Sequence, residues 1–185
     1  ALGRIADAVR AAGISLAVPL AEMEQSCLFN GMRFFGPDGA EAGSYRKMHI
    51  PGQVEPKPEG AFTIMEKRYF EPGDLGFNVW RTLGGILGMA VCNDRRWPET
   101  YRVMGLQGVE LVLIGYNTPR HNPPAPDHDR LSDFHNHLVM QSGAYQNAAW
   151  VVGVAKAGVE EGCELIGGSA IIAPTGEITA RAVTQ

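Results

Sequence analysis

The sequence is poor in cysteine: its 185 residues hold just Cys27, Cys92 and Cys163, an odd number set far apart. That spacing excludes a disulfide framework and suits a reducing cytoplasm. Basic charge is not in excess either. With 16 lysines and arginines against 20 acids the net charge is -4, which leaves nothing to neutralise a phosphate backbone and argues against a nucleic-acid binder. No apolar run approaches the roughly 20 residues that a membrane-spanning helix needs. The opening residues, Ala1-Leu-Gly-Arg-Ile, lack the basic, apolar and small-residue order of a signal peptide. No internal repeat and no low-complexity stretch is found. What is present, 45% hydrophobic and 19% charged residues, fits one globular domain over 1–185 that buries about 70% of its unfolded surface.

Apolar periodicity divides the chain into alternating elements. Leu2, Ile5, Ala6 and Val9 share a helix face, with Gly13 as the stop. The chain opens without methionine inside this helix, as a piece of something longer would. Strands are expected at 14–20, 27–35 and 44–48, with Gly36-Pro-Asp-Gly39 as a turn because proline presets one backbone angle and glycine accepts a positive one. Residues 51–60 read as a proline-containing surface loop. Beyond it come a buried strand at 86–91, a helix at 98–107 with proline in its first turn, and a strand at 109–114. A long proline-rich loop covers 118–130, and Ser132 is expected to cap a helix running to Asn147. Strands at 150–155, 165–173 and 177–183 complete the reading, with a turn at Pro174-Thr-Gly176. Strands alternating with helices and hairpins point to an α/β layered sandwich with mixed sheets.

Cys92 falls where a buried strand ends and a helix is about to begin. A thiol there projects at the sheet rim, where backbone N–H groups and a helix N-terminus stabilise a thiolate. Most cysteines are simply small apolar core residues. The four polar residues that follow, Asn93, Asp94, Arg95 and Arg96, set this one apart, because a structural strand end needs no arginine pair. Both arginines offer forked donors suited to a carboxylate, although surface ion pairing is the ordinary use of such residues. Lys47, in Tyr45-Arg-Lys-Met-His49, ends a strand before a proline loop. A solvated charge is common there; beside a thiolate, a lysine steadies the oxyanion of a tetrahedral intermediate.

These segments together resemble the nitrilase superfamily of carbon-nitrogen hydrolases, and within it the N-carbamoyl-D-amino-acid amidohydrolase branch. The likeness is carried by Tyr45-Arg-Lys-Met-His49, by Cys92-Asn-Asp-Arg-Arg-Trp-Pro-Glu99 and by Glu66-Lys-Arg-Tyr-Phe-Glu-Pro-Gly-Asp74. Gly115-Tyr-Asn-Thr-Pro119, Ser142-Gly-Ala-Tyr-Gln-Asn147 and Ala173-Pro-Thr-Gly-Glu177 extend it over essentially the whole chain. The resemblance implies an α-β-β-α sandwich, here lacking N- and C-terminal parts, and a Glu-Lys-Cys triad. Its cysteine corresponds to Cys92 and its lysine to Lys47. The triad glutamate belongs to a Pro-Glu segment that nothing before Lys47 matches, and Glu66 corresponds to a second acid that positions the triad. The implied reaction removes a carbamoyl group through a thioester-type intermediate, giving ammonia, carbon dioxide and a D-amino acid. Lys47 and the Asn93 N–H hold the oxyanion. Arg95 and Arg96 hold the substrate carboxylate, with Asn117, Thr118 and His135 as further contacts. The implied partner is a small N-carbamoyl amino acid, with no cofactor or metal and with assembly into a cytoplasmic homo-oligomer.

Rival readings are weaker. Asp127, His128, Asp129, Asp133, His135 and His137 cluster without a zinc spacing. Gly84-Gly85 precedes a strand, not the helix that pyrophosphate needs. A beta-ureidopropionase-like amidase, or a non-catalytic copy that keeps the fold and carboxylate pocket, are the remaining alternatives.

Overall fold

The computed structural model describes residues 2–58 and 62–183; residue 1, residues 59–61 (with the end of the expected proline loop) and residues 184–185 lie outside it. Helix α1 (Leu2–Ala12) comes first and buries Val9. Gly13 ends it with a φ of 65° and an N–H donated to Val9 O, as its position predicts. Strands β1 (Leu16–Glu24), β2 (Cys27–Phe35) and β3 (Glu41–Arg46) then form a three-stranded antiparallel sheet. β1 starts later and runs further than expected, because Glu24 pairs with Cys27 across a two-residue turn in which Gln25 takes a φ of 53°. β3 ends at Arg46 and leaves Lys47 beyond the ladder.

The short helix α2 (Glu66–Tyr69) follows, then β4 (Val79–Thr82), β5 (Gly85–Val91), a 3-10 turn at Cys92–Arg96 and α3 (Pro98–Leu106). After β6 (Leu111–Tyr116) and a 3-10 turn at Pro126–Leu131 come α4 (Ser132–Asn147) and β7 (Trp150–Ala155). The chain closes with β8 (Ala157–Glu160), β9 (Cys163–Ile166), β10 (Ala170–Ile172) and β11 (Ile178–Arg181). Six strands form one mixed sheet in the order β11-β10-β7-β6-β5-β4, with β5, β6 and β7 parallel. β8 and β9 make a separate hairpin.

Two expectations need correction. The strand expected at 165–173 is broken into β9 and β10, because Gly167 and Gly168 sit between them at φ of 58° and 74°. Ser132 does not cap α4: it is the first helical residue, and its hydroxyl donates to Arg120 O.

The large sheet is buried on both sides, which is why its central strands read as unbroken apolar runs. A Cβ added to Gly115 would lie 3.0 Å from Pro19 Cγ and 3.2 Å from Met32 Cε, so the small sheet covers that face. One added to Gly153 would lie 2.7 Å from Met140 Sδ, so α4 covers the other. Met32, Phe34 and Tyr45 of the small sheet share one core with Leu87, Met89, Val112 and Ile114 of the large one, and Tyr101, Met104 and Met140 close it from the helices. The expected α/β sandwich with mixed sheets is present. Among the described residues no helix is long and apolar enough to cross a membrane.

Candidate active site

β5 delivers the chain to Cys92 at the top of the large sheet, and the turn there is strained. Cys92 has a φ of 51°, a left-handed value that costs a residue with a Cβ about 1–3 kcal/mol and persists only where its surroundings enforce it. Enforcement is visible. Arg95 Nη1 donates to Cys92 O at 2.7 Å, Val91 N to Asp94 Oδ2 at 3.1 Å, and Thr100 Oγ1 to Asp94 O at 2.8 Å. The cysteine is half-buried and opens on a cavity of about 590 Å³ between the two sheets, whose wall includes Asn30, Met32, Ile114, Asn117 and Lys156.

Lys47 leaves the end of β3 fully buried, and its Nζ lies 2.6 Å from Glu66 Oε2. A buried ammonium is tolerated only with such a partner. Asn30 Nδ2 donates to the same carboxylate oxygen at 3.2 Å, and Asn30 O accepts the Lys47 N–H at 2.7 Å. One side chain of the cavity wall is therefore bonded to the acid that holds the lysine. The turn carrying Cys92 is joined to this segment as well: Asn93 Nδ2 donates to His49 O at 3.1 Å, and His49 N donates to Asp94 Oδ1 at 2.9 Å.

The two arginines part company. Arg95 is fully buried; its Nε donates to Asn136 Oδ1 at 2.9 Å and its Nη2 to Thr118 Oγ1 at 2.7 Å, while its guanidinium lies 4.1 Å above the Tyr116 ring. With Nη1 on Cys92 O, the guanidinium is spent chiefly on structure, and so is the Thr118 hydroxyl. Arg96 is exposed, and among the described residues it has no hydrogen bond or ion pair. Although its surface is open to solvent, neighbouring atoms partly desolvate its guanidinium, and that desolvation, followed by the adjacent Arg95 charge, pulls its pKa below the ordinary arginine value. It borders a groove with Trp97, Leu138, Ser142 and Gln146, separate from the cavity under Cys92. Asn117 does line that cavity; His135 packs against His128 and Phe134 at the start of α4 and is not in its wall.

The sequence profile of the family described as Carbon-nitrogen hydrolase matches residues 1–185. The chain belongs to that family. The carbon-nitrogen hydrolase chain is 34% identical to N-carbamoylputrescine amidase of Arabidopsis thaliana over 98% of its own length and 60% of that protein's. It is 37% identical to citrullinase of Francisella tularensis over 68% of its length and 40% of that protein's. A carbon-nitrogen hydrolase from Helicobacter pylori, 27% identical, superimposes with a TM-score of 0.86 over 98% of this chain and 62% of the other. The chain thus spans about 60% of the length of the amidase it matches. An amidase from Nesterenkonia, 22% identical with a TM-score of 0.78, shares the fold.

In this carbon-nitrogen hydrolase site Asp94 and His49 lie within the motifs that carry the resemblance without a role assigned to them, and Asn136 and Asn30 lie outside any motif. Asp94 is fully buried and accepts from Tyr45 Oη at 2.7 Å; burial first, and then the Asp94 charge, push the tyrosine well above the ordinary phenol range. His49 places Nδ1 3.0 Å from Asp94 Oδ1 and stacks between Phe77 and Trp97. Asn136 bridges Arg95 and the Tyr116 hydroxyl, to which its Nδ2 donates at 3.0 Å. Asn136 and Asn30 stood in sequence as ordinary polar residues on a helix and a strand. The full burial of Asn136 and the half-burial of Asn30 follow from tertiary packing alone. Together these groups present a thiol on a rigid elbow, with an ammonium–carboxylate pair behind the wall it faces.

Proposed function

We propose that the protein hydrolyses the terminal C–N bond of a small linear carbamoyl compound through Cys92, and that its substrate is an N-carbamoyl amino acid, the D form being implied by the family resemblance that the Cys92-Asn-Asp-Arg-Arg segment carries. The observation that carries the reading is the strained, half-buried Cys92 opening on an inter-sheet cavity whose wall residue Asn30 is bonded to the Glu66 of the Lys47–Glu66 pair. The thiol proton passes to a carboxylate, and sulfur bonds to the ureido carbon while its oxygen becomes an anion that Lys47 and the Asn93 N–H hold. The C–N bond to the terminal nitrogen breaks and ammonia leaves with a proton. Water then attacks the thioester-type intermediate, restoring the thiol and releasing a carbamic acid that divides into carbon dioxide and the amino acid. Glu66 holds the lysine; the proton-accepting glutamate is assigned to the Pro-Glu segment that the family resemblance places upstream.

The arginine pair of the family resemblance supports an anionic group on the substrate, and Arg96, with no partner among the described residues, is the one left to pair with it, from the groove beside the turn that carries Cys92. The second reading, a cationic substrate such as carbamoylputrescine, is favoured by the 34% identity to that amidase. Among the described residues none that lines the cavity is acidic, and Lys156 is basic, which counts against it. Assembly into a homo-oligomer belongs to the same proposal, and exposed Val103 and Leu106 on α3 with Leu138 and Tyr145 on α4 support it.

Ammonia release decides between these. N-carbamoyl-D-amino acids are expected to turn over faster than their L forms, N-carbamoyl-β-alanine and N-carbamoylputrescine. Preference for the diamine derivative would replace the carboxylate reading. Release from none of them would remove the carbamoyl assignment.

A further inference from the structure

Asp94 is the most heavily bonded carboxylate in the protein's interior, and its bonds run in a particular pattern. Oδ2 accepts from Tyr45 Oη at 2.7 Å and from Val91 N at 3.1 Å. Oδ1 accepts from His49 N at 2.9 Å and lies 3.0 Å from His49 Nδ1. Val91 immediately precedes Cys92, whereas Tyr45 and His49 stand two residues to either side of Lys47. A single fully buried carboxylate therefore ties the strand end behind the thiol to both flanks of the lysine. No arginine or lysine pairs with it among the described residues. A carboxylate used only for stability is a poor choice at such a site, because an apolar core residue there would avoid the cost of desolvating a charge.

Resting on the reading of Cys92 as nucleophile and Lys47 as its cationic neighbour, we propose that Asp94 is the positioning residue that fixes the Lys47 ammonium relative to the Cys92 sulfur. Loss of its bonds frees the segment at 45–49 to shift against the turn at Cys92–Arg96. The remaining tie, from Asn93 Nδ2 to His49 O, holds only one side of the lysine.

The test is a double-mutant cycle on thiol reactivity, which needs no turnover. Iodoacetamide alkylation of Cys92 is followed on the full chain by mass spectrometry of its peptide, in parent, Lys47→Met, Asp94→Asn and the double variant. An ammonium held near the sulfur favours the thiolate that attacks iodoacetamide, so Lys47→Met is expected to slow alkylation about tenfold in the parent. In the Asp94→Asn background the same change is expected to alter the rate by less than about twofold, because the segment carrying the lysine, though still bonded to Glu66 and Asn30, is no longer fixed against the turn carrying Cys92. Comparing ratios cancels the direct effect of removing the Asp94 charge. Tyr45→Phe removes one of the bonds and leaves that charge intact; there the Lys47 effect should fall to about threefold. This second variant carries the test if Asp94→Asn fails to fold. An undiminished Lys47 effect in both backgrounds overturns the proposal. A Lys47→Met change without effect in the parent overturns the underlying reading instead.

Discussion

Replacing Arg95 with methionine separates a structural arginine from a substrate-binding one. The sequence motif pairs Arg95 with Arg96 as carboxylate holders, yet Arg95 is fully buried, with three of its nitrogens bonded to Cys92 O, Asn136 Oδ1 and Thr118 Oγ1. Methionine retains part of the volume and leaves the Cys92 carbonyl and the Asn136 amide oxygen without donors. At about 1–3 kcal/mol for each stranded acceptor, less what relaxation recovers and plus the lost contact with the Tyr116 ring, the change is expected to cost about 3–5 kcal/mol. For a domain of this size that lowers Tm by about 6–20 °C. Urea unfolding is the assay: the midpoint should fall while the m-value stays constant. Arg96→Met serves as the control and should stay within about 0.5 kcal/mol of the parent, as exposed substitutions usually do. Unfolding of Arg95→Met at the parent's urea concentration, together with a large rise in KM, would refute the reasoning and return Arg95 to the substrate pocket.

Cys92→Ala is expected to abolish turnover while substrate still binds, as calorimetry would show. Cys92→Gly should be equally inactive yet more stable than Cys92→Ala by about 1 kcal/mol, because glycine accepts the φ of 51° without strain; equal stabilities in urea would contradict it. Arg96→Ala should raise KM about tenfold or more with kcat little changed, through loss of the carboxylate's partner. An unchanged KM in steady-state kinetics removes it from the site. Glu22 gives a pH test. Burial pushes its pKa up, but Arg46 and Arg33 outweigh that and hold it below its usual 4.5. Its contribution is fully present above that value and is lost as pH falls through the lower folded one. Glu22→Gln should therefore cost stability at neutral pH and flatten the decline below about pH 4.5 in urea titrations.

Much of the fold was legible because burial on both faces writes itself as apolar runs. The strands around Val91 and Val112 and the helix ending at Asn147 were read to within two residues. Local geometry overrode the pattern elsewhere: paired glycines at 167 and 168 break an apolar run into two strands, and the hairpin at Gln25 extends β1 into polar residues. β4, β8 and α2 are too short, at four residues each, to leave a period. In the site, the placement of Cys92 and Lys47 at strand ends was legible in the sequence. The different fates of Arg95 and Arg96 were not, because adjacent residues in a 3-10 turn point apart and only packing against α4 and Thr118 decides which is enclosed. Asp94, His49 and Asn136 act through partners more than 40 residues away or across the sheet, a separation that no local pattern records.

On the proposed mechanism the sulfur of Cys92 forms the covalent intermediate. Rapid acid quench of the protein mixed with an N-carbamoyl-D-amino acid, followed by peptide mass spectrometry, tests it directly. An adduct equal to the substrate less ammonia should appear on the peptide holding Cys92, not on those holding Cys27 or Cys163, and should be absent from Cys92→Ala. Ammonia release with Cys92 unmodified, or persisting in Cys92→Ala, would exclude Cys92 as the nucleophile.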